Sequence, residues 1–463
     1  MKRAVAAVLG TFLVALRAHA QQAAEQARPA FTLDQALDAA RHNVPSVAAA
    51  IAQARAAHAQ IAIARAPLLP VVSATGTLQG FGQNTNSLSG SSIPCGSSSQ
   101  TTGGVVATMP VGGGQGTGCI GGPFGYVFAD VSATLRWTVW DFGRTALDVE
   151  SARRTARGAQ ADVRTAEQAA MLAAATAYFA VLADRQLEDS QREVLVQRER
   201  EFEIARARVA AGTDPEINRV RAEIAVSTAR LDVATAHATV QNDEAGLAAA
   251  LALDPAHPPQ VVQPAEIAID TDPERAAQIA IDSRSEVAAA RLRLASAESA
   301  LASARAAYRP AIVATAGTGV RLSEYSTGTT ALNENATVGG GVSMPLYDPL
   351  ISANIHAAEA NVAIARADVA QQVLAVRTDA VQAALTAHAN HEQYLSARHN
   401  ADLTAANLGL AEGRFQAGTT TLLELVDAQS QDVQARLAVI QRRFQWGAAQ
   451  MRLLAAQQRL GAR

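Results

Sequence analysis

The chain has 463 residues, 42 acidic against 39 basic side chains for a formal charge of −3, and only 4% aromatic residues. Nothing in that balance suggests a nucleic-acid partner. The length exceeds that of one simple domain, although an internal repeat can build one body from it.

The first twenty residues read as a secretory signal: Lys2 and Arg3, an apolar run from Ala4 to Leu16, then Ala18-His19-Ala20. That run is too short to span a bilayer, so cleavage after Ala20 is expected, and no other stretch is expected to cross a membrane as a helix. Loss of the three basic residues in the leader (Lys2, Arg3, Arg17) takes the charge from −3 to near −6. A helical pattern begins at Thr32 with Leu33, Ala36, Leu37 and Ala40. It breaks at Asn43-Val44-Pro45, where Pro opens a second, Ala-rich helix running to about Arg65.

From Val71 the period changes to two. Strands are expected over about 71–82 and 125–140; in the second, Ala129, Val131, Ala133, Leu135 and Trp137 alternate with Asp130, Ser132, Thr134 and Arg136. One face is apolar and the other charged or hydroxylated, which fits a soluble sandwich or a membrane barrel. Aromatics at the run ends (Phe81, Trp137, Trp140, Phe142) favour the barrel. Between them, Gln83 to Pro123 is a Gly/Ser/Thr-rich loop holding both cysteines. Cys95 and Cys119 are expected to pair in an oxidising compartment, with two free thiols as the alternative.

Asp141-Phe-Gly-Arg144 launches a helix without proline as far as Ala211. After Gly212 a return helix carries Ile217, Val220, Ile224, Ser227, Leu231 and Ala234 at three- and four-residue steps, the spacing of coiled-coil packing. Residues 255–273 form a Pro-rich linker. The order then repeats over 274–463: short helix, longer helix, strands expected over about 311–323 and 335–346, a long helix from Asp348, a turn at Gly418 and a last helix. The first repeat is thus 21–254. Asp141 to Gly212 is 71 residues and Asp348 to Gly418 is 70.

The two helix turns are near copies, Arg208-Val-Ala-Ala-Gly-Thr213 and Arg414-Phe-Gln-Ala-Gly-Thr419, offset by 206 residues. Gly ends a helix in the left-handed conformation. The Thr is placed to cap the helix that follows, and Thr213-x-x-Glu216 and Thr421-x-x-Glu424 both fit a capping box. Four strands cannot close a barrel, and an open lipid-facing sheet leaves its edge groups unsatisfied, so oligomerisation is required.

This duplicated order, the two Ala-Gly-Thr turns, the Trp140-Asp-Phe-Gly143 junction and the Asn43-Val-Pro45 start resemble the TolC family of outer-membrane channels over essentially the whole mature chain. The resemblance implies a mainly α fold with a small β part. It implies a homotrimer whose four antiparallel strands per protomer make a twelve-stranded barrel in outer-membrane lipid. The helices would form a periplasmic coiled-coil barrel. The implied role is the exit duct of a tripartite efflux pump for small molecules, docked to a periplasmic adaptor protein and an inner-membrane transporter. Type I protein secretion is the alternative, and a periplasmic coiled-coil adaptor or scaffold is the reading from another class.

The resemblance places Glu424 and Asp427 at the constricted entrance, where three copies would form a cation-attracting ring. A capping role for Glu424 and a solvated helix face for Asp427 are the alternatives. It also nominates the turn residues Arg208, Gly212, Thr213, Arg414, Gly418 and Thr419 for adaptor contact, beside plain helix-end chemistry. Thr420 and Asn218 stand where an Arg and an Asp often form an ionic latch, so any latch is less ionic. No catalytic constellation is visible and no cofactor is implied. His388 and His391 lie three apart without further ligands, so no metal site is expected.

Overall fold

The computed structural model describes residues 30–82, 125–265, 269–325, 330–417 and 419–461. The leader, Cys95, Cys119 and Gly418 lie outside the described residues. The chain divides into two compact units, one of residues 1–56, 157–293 and 366–463, the other of residues 57–156 and 294–365.

The second unit holds an antiparallel sheet in the order β2-β3-β5-β6, built from β2 (Val71–Gly82), β3 (Gly125–Trp140), β5 (Ala311–Tyr325) and β6 (Thr330–Ser343). Val131 pairs with Gly76 on one side and Val320 on the other, which fixes the faces of all four strands. Residues opposite one another share a face, so Val72, Val131, Val320 and Val338 line one side. That face is unpartnered: Val338 is 89% and Val72 69% exposed. The other face carries hydroxyl pairs across the strands, Ser73 with Thr134 at 2.8 Å and Thr75 with Ser132 at 2.9 Å. It also carries the Arg321–Asp130 ion pair at 3.1 Å, with the Arg321 guanidinium over the Phe128 ring. Glu334, paired with Val320, is a carboxylate on the apolar side.

β6 starts five residues earlier and ends three earlier than its hydropathy suggests. Its pairing with β5 reaches Thr330, through Asn333-Glu334-Asn335, where polar residues on both faces hide the period. Beyond Ser343 comes Met344-Pro345, and proline cannot donate to the ladder. Both junctions from strand to long helix are capped by an aspartate. Asp141 accepts from Gly143 N–H (3.1 Å) and Thr145 N–H (2.7 Å), and Asp348 accepts from Leu350 N–H (2.8 Å). The helices that follow are α3 (Arg144–Ala210) and α7 (Pro349–Gln416).

The first unit is helical. α1 (Leu33–Asn43) begins with a complete capping box between Thr32 and Gln35, and α2 (Pro45–Arg65) follows. The long helices turn into α4 (Glu216–Ala250) and α8 (Leu422–Ala456), and α5 (Pro273–Ser283) and α6 (Ser285–Ala306) open the second half. α3 contains a stretch long and apolar enough to cross a membrane, where the sequence reading expected none. Its Met171, Ala174, Ala175, Tyr178 and Val181 are instead buried in a core with Leu33, Leu247 and Phe444. Gly447 of α8 is required there, because a Cβ on it would stand 2.6 Å from Phe179 Cε1.

A two-strand parallel bridge joins β1 (Ala30–Phe31) to β4 (Gln260–Val261), the latter inside the Pro-rich linker. Tyr178, fully buried, ties it down. Its hydroxyl lies 3.0 Å from Phe31 O, reaches Val262 O, and accepts from Val262 N–H at 3.1 Å. Burial raises the Tyr178 pKa, so the hydroxyl keeps its proton.

Candidate functional site: the two helix-hairpin turns

At the first turn α3 stops because Gly212 takes φ +72°, open to glycine without strain. Gly212 N–H returns to Val209 O at 2.9 Å and Thr213 N–H to Arg208 O at 3.0 Å, the two closing bonds of a Schellman motif. The Thr213 hydroxyl donates to the same Arg208 carbonyl at 2.9 Å. The second turn repeats this: Thr419 N–H reaches Arg414 O at 2.9 Å and its hydroxyl reaches the same oxygen at 3.0 Å. The Arg-x-x-Ala-Gly-Thr pattern therefore closes the helix behind it.

This corrects the expected capping at the first turn. Thr213 is spent on the preceding helix, and α4 begins after Pro215 without a side-chain cap. At the second turn a different threonine does the capping, Thr421, which accepts from Glu424 N–H at 3.4 Å. The Glu424 carboxylate does not close the box. It takes Arg414 at 2.6 Å and the Thr420 hydroxyl. Arg414 thus supplies a short-range latch within the second turn that the sequence reading did not foresee, because its partner lies ten residues on across the turn.

The remaining charges are placed as follows. Asp427 is exposed and accepts from Gln431 Nε2 at 2.8 Å, with no cation partner among the ion pairs of the described residues. At the first turn Asn218 donates to Asp214 (2.9 Å), and Arg219 bridges Glu216 (2.7 Å) and Glu223 (2.9 Å). The two turns touch through Arg208, whose guanidinium lies 5.8 Å from the Phe415 ring centroid. Beneath them Ala411, Leu425 and Ala428 form a small apolar cluster with Leu408 and Phe415. Above it Gln429 accepts from Arg198 (3.2 Å), and Asp432, 3% exposed, pairs with Arg436 (2.8 Å) while its Oδ1 has no partner.

The structure brings Arg208 to Phe415 and Arg414 to Glu424, and leaves Asp427 outside both contacts. Sequence reasoning missed Asp432. The available signal was a carboxylate three residues beyond Gln429 on the packed face of a helix. No group of three or more His, Cys, Asp or Glu able to hold a metal occurs among the described residues. The His391 ring lies tilted against Trp446, ring centroids 4.6 Å apart.

A family model described as "Outer membrane efflux protein" matches residues 36–253 and 276–457. Among curated protein sequences none matches the chain. Solved structures align over nearly its whole length. A membrane protein from Pseudomonas aeruginosa is 22% identical with a TM-score of 0.72, covering 93% of this chain and 91% of that one. The CmeC outer membrane channel of Campylobacter jejuni is 16% identical with a TM-score of 0.72, covering 93% and 86%. The open state of the Neisseria gonorrhoeae MtrE outer membrane channel is 18% identical with a TM-score of 0.68, covering 92% and 88%. These likenesses establish the fold.

Proposed function

Because the chain belongs to the outer membrane efflux protein family, we propose that it is the passive exit duct of a tripartite efflux pump, conducting small molecules from a periplasmic adaptor and inner-membrane transporter to the exterior. Membership itself makes it an outer-membrane channel with a helical periplasmic extension, and the family is one of channels, not enzymes. The observation that carries the finer reading is the sheet. One face is apolar and exposed, the other is lined by hydroxyls and an ion pair, and β2 and β6 offer free edges. In hydrocarbon such edges must be paired. Pairing β6 of one copy with β2 of the next, three times round, closes a barrel with lipid outside and water inside.

In that trimer the second turns converge on the entrance. The charge gathered there rests on Asp427, since Arg414 already neutralises Glu424 within each protomer. The first turn, with Arg208 and Gly212 exposed, and the Arg414–Thr419 turn supply the adaptor-facing surface. Cells lacking the protein are expected to retain a cationic efflux dye that cells with it expel. The protein is expected in the outer-membrane fraction as a trimer that heat dissociates. A periplasmic monomer, or unchanged dye retention, contradicts the proposal.

A further inference from the structure

The seam between α3 and α4 runs along Val181, Asp184 and Glu188 on one helix and Val240, Asp243 and Leu247 on the other, at three- and four-residue steps. Val181 and Leu247 are fully buried, and Val240 and Glu188 are 5% exposed. Asp184 and Asp243 thus stand in a row where packing asks for apolar groups, at the rim of the core, each one residue from the Arg185–Glu244 contact that joins the two helices at 2.8 Å. Two carboxyls held side by side at a half-buried seam repel when both are ionised and attract when one keeps its proton.

The neighbouring basic side chains are committed elsewhere. Arg185 grips Glu244 at 2.8 Å, and Arg192 and His237 both hold Glu188, the latter at 2.8 Å. Among elements packed on the same core, α1 brings Asp34, Arg41 paired with Glu167, and His42 paired with Asp38. α8 brings Arg443, which lies over the Phe444 ring, and β4 brings no charge. Burial first, then the hydrogen bond and charge of Asp243, push the Asp184 carboxyl up to about 7. In the second hairpin, 206 residues on, the same positions hold Asn390 and Ala449, neither of which titrates.

We propose that Asp184 and Asp243 form a proton-sharing pair that couples the packing of α3 on α4 to pH. Protonated, the pair is a hydrogen bond across the seam; with both groups ionised it is a repulsion. Asp184 binds its proton more tightly folded than unfolded, so its contribution to stability is lost as pH rises from 3.8 through about 7. The inference stands independently of the transport role.

Hydrogen exchange on the full chain in detergent, at pH 5.5 and pH 8 with intrinsic rates corrected, tests it. Amides of 181–188 and 240–247 are expected to lose protection on the order of tenfold at the higher pH. Asp184→Asn, whose amide still donates to Asp243, is expected to show equal protection at both, while His237→Gln keeps the wild-type loss. Equal wild-type protection at both pH values, an undiminished loss in Asp184→Asn, or its disappearance in His237→Gln would overturn the proposal. Should Asp184→Asn fail to fold, Asp243→Asn is read by the same criteria.

Discussion

At the same depth in the repeat, the first hairpin sets Asp184 against Asp243, and the second has Asn390 donating to Gln445 O beside Trp446, which stacks on Tyr394 and lies tilted against His391. Near the turns the order of polarity inverts. Val226 is packed in the first hairpin where Asp432 is packed in the second, and Glu223 is exposed where Gln429 is buried. Two halves with one plan therefore place their buried polar groups at different heights. The first is marked well behind its turn and the second close to it. A buried polar group weakens a helix seam unless all its partners are present, so the two hairpins have their soft points in different places.

Substitutions that exchange or erase these differences sharpen the comparison. The largest effect is expected at Gly447, which the second return helix presses onto Phe179. Gly447→Ala should cost about 2–3 kcal/mol by overpacking, read as a lowered midpoint of thermal unfolding in detergent. Gln241→Ala, at the matching position of the first return helix, should stay within about 0.5 kcal/mol. Next is Tyr178→Phe, which leaves the backbone groups at Phe31 and Val262 without their hydroxyl partner. A loss of about 1–2 kcal/mol and faster exchange at Phe31 and Val262 are expected; the second half has Ala384 at that position and no such tie to lose.

Asp432→Val, which gives the second hairpin the residue of the first, should raise stability by about 1 kcal/mol by removing the orphaned Oδ1. A loss would show that Asp432 has a partner in the assembled protein. The smallest effect is expected for Glu424→Gln. Its contact with Arg414 is half exposed, so a change below about 1 kcal/mol is expected.

Much of the fold was legible because each element has its own period. Alternation gave β3, three- and four-residue spacing gave α4, and Ala-Gly-Thr marked both turns. What stayed hidden depends on pairs distant in the chain. The β1–β4 bridge has two residues a side, too few for any period, and it exists because Tyr178 holds it. Arg185 and Glu244 meet 59 residues apart, and the Asp184–Asp243 contact beside them is equally invisible along one helix. Thr213 misled for a local reason: its hydroxyl can serve the helix before or after it, and glycine's left-handed turn swings it back. At the second turn the reading of Glu424 as a helix cap failed because Arg414, across the turn, offers a charge where the cap offers one amide.

The most direct test of the account is single-channel recording of the purified protein in planar bilayers under asymmetric salt. Discrete, cation-preferring steps are expected, with the preference reduced in Asp427→Asn and reduced also in Glu424→Gln, which leaves Arg414 without its counter-charge. Absence of channels, or a preference unchanged when both carboxylates are removed, would contradict a duct whose charged entrance is carried by the second turn.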